Sequence, residues 1–589
     1  MSNTDKILMK ARTAYEKGDM AAAARHYKAI LKRTPNHLEA LSFFGQAYLG
    51  SGRLEEAARA YRKVLELKPD SVVSLNNLGF ILQETGRPEE AISLFARAVA
   101  VDPAYREGRE NLADALLSNG DMDRAIDAYR DALKRWPQAP SLLSGMGRAL
   151  LVRGDVADAR KCFEGALSLD PGNTKFQSES LFARLYDPAF GPEAVYRDHL
   201  KWGRACLSGI PEPPPPGNTP DPDRPLKVAY LSPDFRTHSV ANFFEPILAA
   251  HDQAHFSVTC YANVGAEDDT TERLRRMATN WLDVWKMSDA ELAQRIRDDR
   301  IDILVDLAGH TGNTRVRVLA HRAAPVQVTY LGYPATTGLS TVDYRLTDAM
   351  ADPEHTDGWH TEQLIRLPGG FCCYLLPPHL PDVSPLPARK TGHLTFGSLA
   401  NACKISPDLI RLWSRVLHEV PGAKLFLFRK DFRNPAMQER IRAQFGAHGI
   451  DPGTILCTGE RLADNREFLA NYHQVDISLD TFPYTGHTTT CESLAMGVPV
   501  ITRAGRCFLE RCCASVLTLA GCSQWVAEDE DAYVALAREL ATDLDGLARI
   551  RAGLRERLAA SPLCDAAGFT RRLENSYREM WRTWCRTAS

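Results

Sequence analysis

Apolar and polar positions follow two different rhythms along the chain. Over residues 1–172 the pattern repeats every 34 residues and predicts antiparallel helix pairs. Glycine recurs at Gly18, Gly52, Gly86, Gly120 and Gly154, and alanine at Ala23, Ala57, Ala91, Ala125 and Ala159. An aromatic follows at Tyr27, Tyr61, Phe95, Tyr129 and Phe163, and proline closes each unit at Pro35, Pro69, Pro103, Pro137 and Pro171. The glycine permits a tight turn between helices, and the small alanine permits their close approach. The aromatic fills the gap against the neighbouring repeat, and the proline stops the helix. From Lys227 the rhythm changes to short apolar runs separated by amphipathic helical stretches. The runs are 228–232, 256–261, 301–307 and 326–331 and, after a second proline-rich bridge at 377–387, 394–399, 424–428, 475–479 and 498–502. Such runs predict buried parallel strands, and so two doubly wound α/β domains at 226–388 and 389–589.

Period and signature of the first segment resemble tetratricopeptide repeats, five of them over 1–172. Stacked repeats form a superhelix with a concave face suited to extended peptides. Scaffolding or self-association into a homo-oligomer is the plainer use of the same arm. Residues 173–225 read as an irregular helical transition. It ends in Pro211-Glu-Pro-Pro-Pro-Pro-Gly-Asn-Thr-Pro-Asp-Pro-Asp-Arg-Pro225, which predicts an extended, semi-rigid spacer at a domain boundary.

Composition narrows the function classes. The 589 residues carry a net charge of −3 and are 44% hydrophobic. A near-balanced charge argues against nucleic-acid or anionic-membrane binding. No apolar run reaches the length of a transmembrane span, and the N-terminus lacks a secretory layout. The fourteen scattered cysteines form neither a disulfide framework nor a paired metal motif, which suits reduced thiols in the cytoplasm. G-x-G-x-x-G and P-loop strings are missing, which disfavours dinucleotide oxidoreductases and P-loop enzymes.

Candidate chemistry gathers at expected strand ends, where open α/β sheets bind ligands. Strand 475–479 runs into Asp480-Thr-Phe-Pro-Tyr-Thr-Gly-His-Thr-Thr-Thr-Cys-Glu492, a loop and helix start suited to a diphosphate. Thr489 and Glu492 also fit a capping box. Lys404, just past strand 394–399, is placed to neutralise a departing diphosphate. His238 follows the first strand and could take a proton from an acceptor hydroxyl or merely orient a ligand. Gly309-His-Thr311 and Leu331-Gly-Tyr-Pro-Ala-Thr-Thr-Gly338 follow two further strands. The two D-x-D strings, Asp221-Pro-Asp223 and Asp529-Glu-Asp531, lie away from strand ends, so no metal site is expected.

Taken in order, S-P-D-F-x-x-H-S-V, D-I-L-V-D-L-x-G-H-T, P-V-Q-V-T-Y-L-G-Y-P, K-I-S-P and D-T-F-P-Y-x-G-x-T-T-T-C-E-S-L closely resemble the O-GlcNAc transferase/SPINDLY family. The resemblance spans nearly the whole chain. It implies a GT-B fold and an inverting, metal-independent and cofactor-free transfer of N-acetylglucosamine from UDP-GlcNAc to Ser or Thr of proteins. By the same resemblance His238 and Lys404 are catalytic. His310, Gly332, Pro334, Asn401, Gly486, His487, Thr488, Thr489 and Glu492 contact the sugar nucleotide. Phe468 stands where animal members have a histidine. Glu492, between Cys491 and Ser493, resembles the SPINDLY branch, whose plant member uses GDP-fucose, while His487 resembles the GlcNAc branch. A protein O-fucosyltransferase and a repeat adaptor with a decayed transferase are the alternatives.

Overall fold

The computed structural model describes residues 3–460, 462 and 464–588. The chain divides into two compact units, Met1–Leu150 and Leu151–Ser589. The division falls inside the fifth repeat rather than at the end of the arm.

In the first unit the described helices run from Asn3–Glu16 to Met122–Arg135 as antiparallel pairs, and Pro140–Arg153 crosses the division. Every repeat glycine has positive φ, from 74° at Gly52 to 89° at Gly154, the left-handed turn that glycine takes without strain. The aromatic position works within its own repeat as well as toward the next. A Cβ on Gly45 would come within 2.9 Å of the Tyr61 ring, so the ring enters because that side chain is missing. The Tyr61 hydroxyl accepts a hydrogen bond from Asn77, at 2.9 Å, in the following repeat.

The second unit contains two parallel sheets. The first holds β1 (Leu226–Ser232), β2 (Phe256–Ala262), β3 (Asn280–Asp283), β4 (Ile303–Asp306), β5 (Val326–Thr329), β6 (Tyr344–Thr347) and β7 (Gln363–Arg366). Their order is β3-β2-β1-β4-β5-β6-β7. The second holds β8 (Thr395–Ser398), β9 (Lys424–Phe428), β10 (Ile455–Thr458), β11 (Ile477–Leu479), β12 (Val500–Arg503) and β13 (Val526–Ala527), in the order β10-β9-β8-β11-β12-β13. All eight expected runs are strands. The unforeseen ones include partly exposed edges such as Asn280-Trp-Leu-Asp283 and Gln363-Leu-Ile-Arg366, which carry no continuous apolar run. β1 shows why the central strands read as unbroken apolar runs. Val228 and Tyr230 enter one core while Ala229 and Leu231 enter the core on the opposite face, so both faces are covered.

One segment sits elsewhere than the sequence suggests. The C-terminal helix Ala566–Ala588 does not stay with the second sheet. Its Phe569, Leu573, Tyr577 and Trp581 are buried with Val228 and Tyr230 of the first. A helix with one strongly apolar face must cover a sheet, and spacing cannot say which. The proline-rich spacer is extended but held along its end. Trp581 donates to the Asp221 carbonyl at 2.9 Å, Arg578 donates to the Arg224 carbonyl at 2.7 Å, and Arg224 pairs with Asp302 at 2.6 Å. The linker helices Thr174–Arg184 and Pro192–Ser208 place Leu181 and Trp202 in the first domain's outer core. No described helix is long and apolar enough to cross a membrane.

Candidate active site

A cavity of about 370 Å³ lies where the carboxyl ends of the two sheets face one another. From the first domain it is lined by His238–Val240 after β1, Thr311 and Gly312 after β4, and Leu331, Gly332 and Pro334 after β5. From the second come Ala400, Asn401 and Lys404 after β8, Arg429 after β9, and Tyr484, Thr485, His487, Thr488 and Thr489 after β11. Phe182 and Tyr186 of the linker close one side.

The second-domain wall is electropositive. The Lys404 ammonium donates to the Thr485 carbonyl at 3.0 Å and sits 3.9 Å from the Tyr484 ring centre. Among the described residues no carboxylate lies within ion-pair distance of Lys404 or Arg429. Burial pushes the Lys404 amine down, and Asp480 works against that shift. Helix Thr488–Ala495 begins at the same wall, and the N–H groups of its first turn have no acceptor inside the helix. Two cations and the positive end of a helix thus face one cavity.

The helix start differs from the expected capping box. Its N-cap is His487, with no side-chain cap bond, so Thr489 stands inside the first turn. Gly486 does not offer its N–H to the cavity, because it donates to Asp480 at 2.8 Å. A Cβ there would meet the Thr490 hydroxyl at 2.7 Å. Asp480 also accepts from Thr502 at 2.7 Å, which fixes the loop from behind. The His487 ring stacks on Phe243 at 3.8 Å, burial drops its pKa to about 3, and its buried Nε2 has no hydrogen-bond partner. Glu492 lies one turn further along, behind the lining. Burial pushes its carboxyl up to about 7, opposed by Arg429.

The first-domain wall is neutral. His238 caps helix Ser239–Ala250. Its Nδ1 lies 3.3 Å from the Val240 N–H and 3.5 Å from the buried Asp234 carboxylate. If Nδ1 accepts from Val240, Nε2 carries the proton and can only donate. If Nδ1–H turns to Asp234, Nε2 is free to accept one. Burial lowers the His238 pKa more than Asp234 raises it, so the ring is neutral near pH 7. Gly332 is required sterically, since a Cβ would meet the Leu307 carbonyl oxygen at 1.9 Å.

His310 does not reach the cavity. Its Nε2 meets the Thr337 carbonyl at 2.9 Å and its Nδ1 the Ser178 hydroxyl at 3.3 Å. Trp202 meets the ring edge-on at 4.4 Å, and burial drops its pKa to about 3. It braces the loop that carries Gly332 and Pro334, as does His199, whose Nε2 meets the Tyr333 hydroxyl at 2.7 Å. The other expected residues, Asn401, Pro334, Thr488 and Thr489, line the cavity. Arg429 was legible as a strand-end residue after 424–428, and Asp234 as a fixed position of the S-P-D-F motif, whereas Phe182 and Tyr186 carried no signal of their own.

Two parallel, doubly wound sheets meeting over such a cavity, following tetratricopeptide repeats in the chain, make up a GT-B glycosyltransferase. The chain belongs to glycosyltransferase family 41, whose sequence profile matches residues 215–375 and 389–573. Tetratricopeptide-repeat profiles match 8–72, 77–140 and 116–178. A relative in Solanum lycopersicum, "Probable UDP-N-acetylglucosamine--peptide N-acetylglucosaminyltransferase SPINDLY", is 40% identical over 423 residues, 71% of this chain and 45% of the relative. The similarly named SEC protein of Arabidopsis thaliana is 30% identical over 61% of this chain and 37% of its own length. The chain therefore spans about half the length, or less, of these curated relatives. A solved structure of a Thermobaculum terrenum O-GlcNAc transferase mutant is 33% identical with TM-score 0.76, covering 94% of this chain and 98% of that one.

Proposed function

We propose that the protein transfers N-acetylglucosamine from UDP-GlcNAc to Ser or Thr hydroxyls of proteins, with inversion and without a metal. The carrying observation is the electropositive wall: Lys404, Arg429 and the start of helix Thr488–Ala495 face one cavity with no carboxylate ion-paired to either cation. That is a site for a diphosphate. The acceptor oxygen attacks the anomeric carbon from the first-domain side as the bond from that carbon to the diphosphate oxygen breaks. The hydroxyl proton passes to His238 Nε2 when Nδ1–H is turned to Asp234. The negative charge that develops on the diphosphate falls on Lys404 and the helix start. These groups supply the positive charge, so EDTA is expected to leave turnover unchanged. The repeat arm suits a protein acceptor, with its concave face presenting an extended segment.

Transfer of fucose from GDP-fucose by the same machinery is the second reading. Its support is the SPINDLY-like Cys491-Glu492-Ser493 string and Phe468, whose ring lies 5.1 Å from the Arg429 guanidinium at the cavity edge. Incubating the protein with labelled UDP-GlcNAc or GDP-fucose and a cell lysate, then mapping modified residues by mass spectrometry, tests both readings. Thermal stabilisation by uridine nucleotides with GlcNAc on Ser or Thr is the expected result. Stabilisation by guanine nucleotides alone overturns the first reading in favour of the second.

A further inference from the structure

A second cavity, of about 320 Å³, adjoins the first and shares Pro334, Phe508 and Leu509 with it. Linker residues 184–196 form one side, and both α/β domains form the rest. Of the residues assigned to the donor, only Pro334 reaches it. Its volume is at the low end of the roughly 300–1,000 Å³ typical of ligand sites, room for one or two side chains.

The chemistry of its walls selects the occupant. Tyr196, Trp359, Leu409 and Phe482 give apolar and aromatic surface. Most of the charges beside them already meet an opposite charge. Arg411 and Arg503 both meet Glu530, at 2.9 and 3.1 Å, and Arg506 pairs with Glu193. Arg184 meets Asp198 at 2.6 Å, and Asp187 meets Arg160 at 3.2 Å. The Arg503 guanidinium also lies 3.5 Å from the Phe482 ring centre and that of Arg506 5.1 Å from Trp359, so both cations already sit over aromatic faces. A charged ligand would have to compete with the half-buried pairs of Arg184, Asp187 and Arg503, at a desolvation cost, while the exposed pairs of Arg411 and Arg506 resist it little. An uncharged ring or branched chain would only displace water.

We propose that this cavity is an acceptor subsite, which takes an apolar or aromatic side chain close in sequence to the Ser or Thr that receives the sugar. The inference rests on the protein-acceptor reading above. The shared wall argues for one continuous ligand rather than a separate effector. Successive Cα atoms are about 3.8 Å apart, so a residue one to three positions from the reacting hydroxyl reaches the adjoining chamber.

The test uses the full chain, whichever of the two sugar nucleotides it turns over, and a peptide library with a central Ser or Thr and randomised flanks. Modified peptides are expected to be enriched in Phe, Tyr, Leu or Ile at one fixed flanking position. Alanine at that position is expected to lower kcat/KM about tenfold, the scale of one apolar contact. Trp359→Ala, which opens the cavity, and Val195→Phe, which fills it, are each expected to abolish that preference while nucleotide affinity is unchanged. Nucleotide binding also reports that each variant is folded. Transfer without a fixed flanking preference, or a preference identical in both variants, overturns the inference and leaves the protein-acceptor reading standing. If neither peptides nor lysate proteins are modified, the protein-acceptor reading falls and the inference falls with it.

Discussion

The two α/β domains are built alike and used differently. In both, parallel strands deliver loops to one edge, and polar side chains stand at the carboxyl ends. In the first domain most of these groups find partners within the protein. His310, after β4, is held between Ser178 and Thr337. In the second domain the equivalent positions, Lys404, Arg429 and the first turn after His487, face the cavity without a neutralising partner. Fold position alone does not separate a brace from a binding group. Charge balance does: Lys404 has a carbonyl partner, Thr485, but no counter-ion, and a half-buried cation without a counter-ion is completed by an anionic ligand.

The largest effect should come from the unpaired side. Lys404→Ala is expected to lower kcat by about 10²–10³, the scale for removing one preorganised charge donor, while the fold is retained. Single-turnover kinetics with circular dichroism would show it. An unchanged kcat would mean that the electropositive wall binds without stabilising the leaving group.

The paired side should respond in stability instead. His310→Ala leaves a cavity and two unpaired groups, with an expected loss on the order of 3 kcal/mol and little change in nucleotide affinity. The reverse pattern, weaker nucleotide binding at unchanged melting temperature, would return His310 to the donor site. The same histidine has a pH signature. Burial depresses the pKa of His310 to about 3 and that of His199 to about 4, so the unfolded chain binds more protons below pH 6.5. Stability is therefore complete above pH 6.5 and falls as pH drops through the window down to those values. The slope is about 1.4 kcal/mol per pH unit for each group. Melting temperatures between pH 7 and 5 should fall more steeply for the native chain than for His310→Ala.

The smallest effect lies on the boundary between the two behaviours. Asp234→Asn removes the charge that raises the His238 pKa, so the acid limb of the kcat profile should move to lower pH. If His238 takes the proton with Nδ1–H on Asp234, kcat should also fall, by about tenfold or more. A shifted limb with full kcat would assign the Val240-bonded tautomer and make His238 an orienting group.

Much of this was written in the order of residues. The repeat glycines, all eight apolar runs and the strand-end positions of Lys404, His238 and Thr488–Thr489 were legible because they depend on local periodicity and on where parallel strands end. The expected capping box at Thr489 failed because the helix starts two residues earlier, with His487 rather than Thr489 as its N-cap, at a boundary that local pattern does not fix. Gly486 was expected to contact the sugar nucleotide, but its N–H faces Asp480, a partner six residues back whose reach depends on how the loop folds. His310 looked like Lys404 in one dimension. Both follow a buried strand, and nothing nearby in sequence says that Ser178 and Trp202 will close over one of them.

The sequence by itself determined the class of fold, the repeat arm and the edge on which ligands meet the two sheets, since hydrophobic period and turn chemistry act over a few residues. Only the tertiary structure decided which strand-end groups stay unpaired and that the linker supplies Phe182 and Tyr186 to the cavity. It also decided that the last helix returns to the first domain. Those outcomes depend on contacts between segments tens to hundreds of residues apart, where burial and partner geometry set the energy.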